Sequence, residues 1–562
     1  MSGIIFGEYE PSRTPMERGA DAIISVFFDG TGNNRKNVHA YKASTDSSFS
    51  LGKEEGNRKK YLKAYKKNAH KNEGKNSYNS DESNVSRLQP LYVVDKTKTF
   101  SLYIEGIGTD NFKNDSIIGS ALGSGNTGIK KRVEKACKII ANETLKGIKS
   151  KSKDSKGNVL LEKVVFDLYG FSRGAAAARH FISQVKKKGH YNEYHDRRGE
   201  IHIQEIPDYG YLGKALKKAK ITVNTIEIRF AGLYDTVSAH GLKHKNDHKD
   251  LELNQLFHAE KTVQLIAQDE IRHNFELTDI TSAGSKGLTI SLPGVHSDIG
   301  GGYLANVKEE KILLWDLNNN KTIALNRYNY FIAEGWYRTN EIEIIDGILR
   351  DEIYGIRNDI SNNYSVLPLL LMGKLSEEYN AGIDVDALKD DFKTEGALLK
   401  EVEKRLDTEF LAKYTKKVMR IDLLKFDSQE NEKELLVKGQ REFKEVARNW
   451  GMYEESLNNK PKKMLFDVEK HMVKRDNTNV VQPYEKIVFK KQAVFKAVVY
   501  DGLSDHQLLR SLRNRYLHIS FDYTNATSTN WWQYVFLDTV IRFQEPMKPR
   551  ANGVRMVFND TK

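Results

Sequence analysis

Residues 164–178, VVFDLYGFSRGAAAA, change from a strand-like apolar run to a helix-forming run, and this change decides the fold. The residues up to Tyr169 are almost all apolar, which is typical of a short strand buried on both faces of a parallel sheet. The alanines after Gly174 have high helix propensity. Between them, Gly170, Ser172 and Gly174 have the G-x-S-x-G spacing of a nucleophile elbow, a sharp strand-to-helix turn that exposes a serine. The stretch therefore predicts that Ser172 is a nucleophile, and a plain glycine-serine turn between two core elements is the alternative.

A serine at this turn would lie at the N-terminus of the following helix. There the backbone N–H of Arg173 and the helix dipole can face the oxygen that becomes negative when the serine attacks a carbonyl carbon. A second donor is expected from residues 29–34, DGTGNN, which follow a predicted strand at 22–28. In α/β-hydrolases such a loop supplies the second oxyanion N–H. Gly30 and Thr31 are the candidates, and a plain Asp-Gly turn is the alternative.

The same loop excludes one other enzyme class. Phosphatases with a D-x-D-G-T motif use the first aspartate as the nucleophile. The residue two positions before Asp29 is Phe27, so that chemistry lacks its nucleophile here.

Two further polar residues follow predicted strands. Asp235 comes after an alternating segment at 221–233, and His296 lies in a glycine-rich loop, PGVHSDIGGGY, after a strand at 288–292. The chain order serine, acid, histidine is that of α/β-hydrolases. In that chemistry Ser172 attacks a carbonyl carbon, His296 takes and returns the proton, and Asp235 holds the imidazole tautomer, without a metal or organic cofactor. Each residue alone has another explanation, since the aspartate could cap a loop and the histidine could be an ordinary buried or surface residue.

The composition limits the class of protein. At 562 residues the chain is long enough for two or three folding units. Lys and Arg number 88 against 76 Asp and Glu, a net charge of +12 that favours contact with an anionic surface. No nucleic-acid-binding motif accompanies this charge, and we expect no nucleic acid partner. The single cysteine, Cys137, excludes an intrachain disulfide, and we predict that it is buried on a helix.

The predicted fold class is α/β: an α/β-hydrolase-like, mostly parallel sheet flanked by helices, with a large, mainly helical insertion or second domain. Within the core, the amphipathic segment 257–275 predicts a helix. The predicted units are an N-terminal extension (1–20), a catalytic core (21–305) that includes a basic surface loop (35–90) with one short helix at 59–67, a mainly helical lid or membrane-associated region (306–500), and a C-terminal segment that returns to the core (501–562).

No segment has the character of a membrane span or of an ordinary signal peptide. The first 19 residues lack an apolar stretch, and no run approaches 18 apolar residues. We therefore expect a chain made in the cytoplasm that is soluble or binds membranes peripherally. The most apolar part of the helical region contains Leu369, Leu370 and Leu371, and the C-terminal part contains Trp531 and Trp532. These residues could form a lid or a membrane contact, and ordinary core is the alternative.

Five blocks of the sequence resemble, in order, those of the type VI secretion phospholipase effectors and their relatives among the α/β-hydrolases. The resemblance covers about residues 20–305, and RYLHIS (515–520) is similar to the family's closing strand. The blocks are FFDGTGNN (27–34), EGIGT (105–109), GFSRGA (170–175), YDTV (234–237) and VHSDIGGGY (295–303).

The resemblance implies a triad of Ser172, Asp235 and His296 and a phospholipase A type of ester hydrolysis on glycerophospholipids. It also implies an antibacterial toxin that is secreted to the periplasm or membrane of a target cell. A spike or tube component of the secretion system and a cognate immunity protein are the implied partners. Two other functions stay open on the sequence: a soluble carboxylesterase for short esters, and an inactive hydrolase scaffold that serves as a binding or spike-associated module.

Overall fold

The computed structural model of the chain describes residues 20–71, 76–95, 97–116, 127–148, 152–195, 201–206, 208–238, 249–272, 274–316, 321–346, 351–405, 420–422, 505–522, 555 and 557–561. Within these residues the strands are β1 (Ala22–Phe28), β2 (Thr99–Ile104), β3 (Val159–Phe171), β4 (His190–His195), β5 (Ile201–Ile206), β6 (Ile221–Tyr234), β7 (Ala259–Ala267), β8 (Leu277–Thr278), β9 (Gly287–Leu292), β10 (Val307–Asp316), β11 (Ile342–Asp346), β12 (Asp351–Ile360), β13 (Arg420–Asp422) and β14 (Val557–Phe558). The α-helices are α1 (Arg35–Thr45), α2 (Arg58–Asn68), α3 (Asn84–Leu88), α4 (Ile129–Ile139), α5 (Arg173–Val185), α6 (Gly210–Ala219), α7 (His296–Gly300), α8 (Lys321–Ala333), α9 (Val366–Glu378), α10 (Val385–Asp391), α11 (Ala397–Arg405) and α12 (Asp505–Arg515).

Seven strands of the described chain form one sheet in the order β13-β9-β7-β6-β3-β1-β2. Every neighbouring pair in this sheet is parallel. The two longest strands, β3 and β6, are paired from Val159 with Ile221 to Phe171 with Tyr234. The predicted fold class, an α/β-hydrolase-like, mostly parallel sheet flanked by helices, is confirmed.

Apolar side chains cover both faces of this sheet. On β1, Val26 and Phe28 pack in one cluster with helices α4, α5 and α6, whereas Phe27 packs in a second cluster with α8 and α9. This alternation follows from the period of two along a strand. Cys137 lies in the first cluster and is buried on α4, as predicted.

The lysine-rich segment 35–90 is folded and is not a surface loop. The short basic helix expected at 59–67 is present as α2, but α1 and α3 accompany it. Tyr61 and Ala64, one turn apart on α2, are buried, whereas the lysines of this helix (Lys59, Lys60, Lys63, Lys66 and Lys67) are exposed, so the helix is amphipathic. The segment has a small core of its own, made of Ala40, Ala43, Leu51, Tyr61, Ala64 and Tyr78.

The prediction of a helix at 257–275 is wrong, because this segment contains β7, which lies between β6 and β9. Its polar residue Gln264 is fully buried. The Thr236 hydroxyl donates to Oε1 of Gln264 at 2.5 Å, and the Gln264 amide donates to the carbonyl of Thr278 at 3.3 Å. The helix prediction assumed that the polar residues of this segment face water. A polar side chain that is hydrogen-bonded inside the protein can be buried, so this assumption fails here.

The expectation of a mainly helical region at 306–500 is wrong for its first part. Strands β10, β12 and β11 form an antiparallel sheet, and α9, α10 and α11 follow it. The charges along β10 suggested a solvated helix, but Glu309 is buried and accepts from Nε of Arg357 at 3.0 Å. That partner is distant in the chain, so the local pattern could not reveal it. Residues 423–504 lie outside the described residues.

Leu369, Leu370 and Leu371, the candidates for a lid or membrane contact, are buried in the core on α9, as the alternative of ordinary core predicts. A helix that is buried nearly all round is apolar nearly all round, and its composition therefore resembles that of an interfacial segment. Trp531 and Trp532 lie outside the described residues. Within the described ranges, no helix is long and apolar enough to cross a membrane.

Leu371→Ala should lower the free energy of unfolding by about 2–5 kcal/mol, the cost of emptying a buried leucine site. Equilibrium unfolding in urea measures the change. Leu62→Ala on α2 is the matched control, because Leu62 is exposed and its removal should change stability by about 0.5 kcal/mol or less. A normally stable Leu371→Ala protein with lower activity on lipid vesicles alone would show that this leucine contacts lipid after all.

Candidate active site

Ser172 lies at the sharp turn between β3 and α5. Its backbone has φ 58° and ψ −126°, a strained combination for a residue other than glycine. A Cβ on Gly170 would stand 2.5 Å from the Cα of Ala175, and one on Gly174 would stand 2.3 Å from the carbonyl oxygen of Phe28. Strand, helix and the end of β1 therefore meet at distances that only glycine allows. This is the backbone geometry of a nucleophile elbow.

The structure brings Asp235 and His296 into contact. Asp235 follows β6, the strand next to β3, and His296 begins α7 after β9. Nδ1 of the His296 imidazole lies 2.5 Å from Oδ2 of Asp235. Next to a carboxylate, Nδ1 carries the hydrogen and donates it, which makes Nε2 the acceptor nitrogen of a neutral imidazole.

Ser172 adjoins this pair through its neighbour in the chain. The ring of Phe171 lies 4.6 Å from the imidazole of His296, centroid to centroid. The backbone N–H of Ser172 donates to the carbonyl of Tyr234 at 3.0 Å, which ties the elbow to the end of β6. Ser172 is 5% exposed, His296 3% and Asp235 0%. The three predicted side chains thus share one edge of the sheet and are largely removed from bulk water.

Burial and neighbouring charges set the protonation states of the pair. Burial by itself would raise the pKa of Asp235, but the Arg555 guanidinium and the hydrogen bond from His296 outweigh it and hold that pKa well below its usual range. Burial lowers the pKa of His296 below its ordinary value, and Asp235 offsets this only in part. At neutral pH the pair is a carboxylate beside a neutral imidazole, the state that a general base requires.

Arg555 is a second partner of Asp235. Its Nη1 donates to Oδ1 at 2.6 Å and its Nη2 donates to Oδ2 at 2.8 Å. The backbone N–H of Ala267, at the end of β7, also donates to Oδ1 at 2.9 Å. Arg555 lies 320 positions after Asp235 and belongs to no motif, so no signal in the sequence could have identified it.

Acidic side chains hold the loop that carries His296. Oε2 of Glu270 accepts from the backbone N–H of His296 at 3.3 Å. Oδ2 of Asp298 accepts from the N–H of Val295 at 3.0 Å, while its Oδ1 lies 2.7 Å from Nδ1 of His518. The segment that contains His518 therefore supports the histidine loop from the C-terminal part of the chain.

The predicted oxyanion residues belong to the start of α5 and to the loop after β1. Arg173 is the first residue of α5, and Gly30 packs so closely on Phe171 that a Cβ would stand 2.4 Å from its ring. The N–H of Gly30 donates to Oδ1 of Asp29 at 2.7 Å. Burial raises the pKa of Asp29 to about 6 despite the hydrogen bonds that it accepts. The hydroxyl oxygen of Thr31 is buried and has no hydrogen-bond partner in the part of the chain that the structure describes.

A metal centre is not evident near these residues. Among the described residues, no group of three or more His, Cys, Asp or Glu side chains is arranged to hold a metal ion. The acids beside the histidine loop are paired instead, Glu270 with Arg272 and Asp298 with His518.

Comparisons with known proteins identify a family and similar solved structures. A family model described as T6SS, phospholipase effector Tle1-like, catalytic domain, matches residues 23–326. The chain is similar to a solved structure of the Tle1 effector bound to the VgrG spike from the type 6 secretion system, with 20% identity, a TM-score of 0.44, and coverage of 75% of this chain and 84% of that one. It is also similar to an uncharacterized protein from Pseudomonas aeruginosa, with 15% identity, a TM-score of 0.35, and coverage of 96% and 79%. A search of curated proteins gives no match.

The matched residues make up more than half of the chain and include Ser172, Asp235 and His296. The chain therefore belongs to the family of Tle1-like phospholipase effectors of the type VI secretion system.

Proposed function

We propose that this effector is a serine ester hydrolase of the phospholipase A type, with Ser172 as the nucleophile, His296 as the general base and Asp235 as the acid that orients the imidazole. The observation that supports it most strongly is the 2.5 Å contact between Nδ1 of His296 and Oδ2 of Asp235. It occurs beside a serine held at positive φ in a nucleophile elbow. Membership of a phospholipase effector family supports the lipid substrate.

The chemistry follows from these positions. Oγ of Ser172 attacks the carbonyl carbon of a fatty acyl ester while its proton passes to Nε2 of His296, and Asp235 stabilises the imidazolium. The bond to the glycerol oxygen then breaks, and that oxygen takes the proton from Nε2. The acyl group stays on Ser172 until a water molecule, deprotonated by His296, attacks it and releases the fatty acid.

The negative oxygen of the intermediate needs two donors. We assign one to the backbone N–H of Arg173 at the N-terminus of α5 and one to the loop after β1. In that loop the Gly30 N–H donates to the Asp29 carboxylate, and the Thr31 hydroxyl is buried without a partner among the described residues. We therefore propose the Thr31 hydroxyl as the donor from this loop.

The cellular role is a proposal that depends on the family assignment. The effector would be delivered by the type VI secretion system, bind one of its spike or tube components, and degrade membrane lipids of a target bacterium at its periplasmic or membrane surface. The producing cell would need a cognate immunity protein. The net charge of +12 suits peripheral attraction to anionic lipid.

Ser172→Ala should abolish release of fatty acid from phospholipid vesicles while leaving the thermal unfolding midpoint almost unchanged. Mass spectrometry of the lipids measures the products. Ser183→Ala, a serine on the same helix α5 that donates to the carbonyl of His180, is the matched control and should keep wild-type turnover. A fluorophosphonate probe should label the wild type at Ser172 and not the Ser172→Ala protein.

Other outcomes separate the alternatives. Turnover of a short soluble ester without any action on vesicles would identify a soluble carboxylesterase. A folded wild type that neither hydrolyses ester nor accepts the probe would be an inactive scaffold. Full turnover by Ser172→Ala would mean that another residue is the nucleophile.

Thr31→Val should lower kcat by about 10²-fold, the size expected from the loss of one oxyanion donor. Thr31→Ser keeps the hydroxyl and should stay close to wild type. Steady-state kinetics on a short soluble ester, with KM measured separately, tests this pair. Equal rates for the valine and serine variants would exclude the hydroxyl and leave only the backbone of the loop as donor.

A further inference from the structure

The C-terminal residues reach the centre of the candidate site. Besides its two bonds to Asp235, Arg555 donates from Nε to the carbonyl of Phe275 at 2.8 Å. The ring of Phe275 in turn lies 5.0 Å from the imidazole of His296. Arg555 thus links the acid of the triad to the segment that flanks its histidine.

We propose that Arg555 is a positioning residue of the active site, which orients the Asp235 carboxylate toward His296 and whose charge sets the pH range in which His296 accepts a proton. This inference rests on the proposed function, since it assigns a role within the same triad. Arg555 acts through Asp235 and does not contact the reacting ester.

The geometry explains the positioning. A carboxylate with two oxygens can rotate, and a histidine held by one of them follows that rotation. The guanidinium of Arg555 contacts both oxygens as a planar fork, an arrangement that fixes the carboxylate plane as well as its position. Lysine carries the same charge but has no fork.

The charges around His296 explain the electrostatic effect. Asp235 faces it from the end of β6, Glu270 and Arg272 from the segment after β7, and Arg555 from the C-terminal segment. Both arginines lower the pKa of His296, whereas Asp235 raises it. Without Arg555 this balance becomes more negative, and His296 would bind its proton more tightly.

The segment that carries Arg555 is fastened beside the site. β14 pairs in parallel with β8, and Asp560 accepts from Nη2 of the fully buried Arg179 on α5 at 2.6 Å. The N–H of Ser282 also donates to Asp560, at 2.8 Å. These contacts fasten β14 and Asp560, which follow Arg555 in the chain, to the core.

Three variants of the full chain test the proposal: Arg555→Gln removes the charge and the fork, Arg555→Lys removes the fork alone, and Asp560→Asn weakens the docking of the segment without a change at Asp235. The measurements are kcat/KM on a short soluble ester as a function of pH, and the rate of fluorophosphonate labelling at Ser172 over the same pH range. Circular dichroism and the thermal midpoint check that each protein is folded.

A general base acts only when it is deprotonated, so activity falls as pH drops through the pKa of His296. For Arg555→Gln we expect this acid limb to move to higher pH by roughly one unit, which is the smaller end of the pKa shift that a nearby charge causes. We also expect a lower plateau of kcat/KM. For Arg555→Lys we expect the limb near its wild-type position and a lower plateau. For Asp560→Asn we expect an unmoved limb, whatever its effect on the thermal midpoint.

A folded Arg555→Gln protein with an unmoved limb would overturn the electrostatic role, and an Arg555→Lys protein with a wild-type plateau would overturn the need for the fork. If Arg555→Gln does not fold, the plateau of Arg555→Lys decides the proposal. Failure of the proposed function would look different, because the wild type itself would then give no Ser172 labelling and no acid limb to shift.

Discussion

A buried carboxylate that must stay ionised is the constraint on which the rest of the site depends. Asp235 is fully buried, and removing such a charge from water costs several kcal/mol unless other charges and hydrogen bonds compensate. The compensation comes from His296, Arg555 and the N–H of Ala267. These three groups belong to the histidine loop, the C-terminal segment and the end of β7. The site therefore forms only when three parts of the chain that are distant in sequence have packed together.

A second constraint is steric and local. The strained backbone of Ser172 persists because Gly170 and Gly174 let β3, α5 and the end of β1 approach within distances that a side chain would block. Because these glycines lie two positions to either side of the serine, this part of the geometry is encoded in five consecutive residues. That is why the elbow could be predicted from the sequence and the environment of Asp235 could not.

The wrong predictions share one cause, which is burial of groups that a local pattern assigns to the surface. Gln264 on β7 and Glu309 on β10 are polar yet buried, and each is satisfied by a partner that is not its neighbour in the chain. In the segment 35–90, lysines concealed the inward face of α2. Leu371 is the opposite case, an apolar residue that was a candidate for a surface contact. A strongly apolar helix is compatible with a membrane contact as well as with the core, and here it lies in the core. The hydropathy pattern of a segment indicates whether its side chains prefer water or the interior. The partners that each side chain contacts in the folded protein determine whether it is buried.

Local patterns in the sequence predicted the parallel strands β1, β3, β6 and β9, the elbow at Ser172 and the order of Ser172, Asp235 and His296, because each of these is a local signal: an apolar run, a glycine spacing, a polar residue after a strand. The sequence also identified the family. No local pattern could show that Asp235 contacts His296, that Arg555 binds the same carboxylate, or that the leucines of α9 belong to the core; these follow from long-range packing. The physical reason is that a buried carboxylate needs a positive or hydrogen-bonding partner and an apolar face needs an apolar one. Neither requirement says where in the sequence that partner lies. Long-range packing determines which partners each group receives.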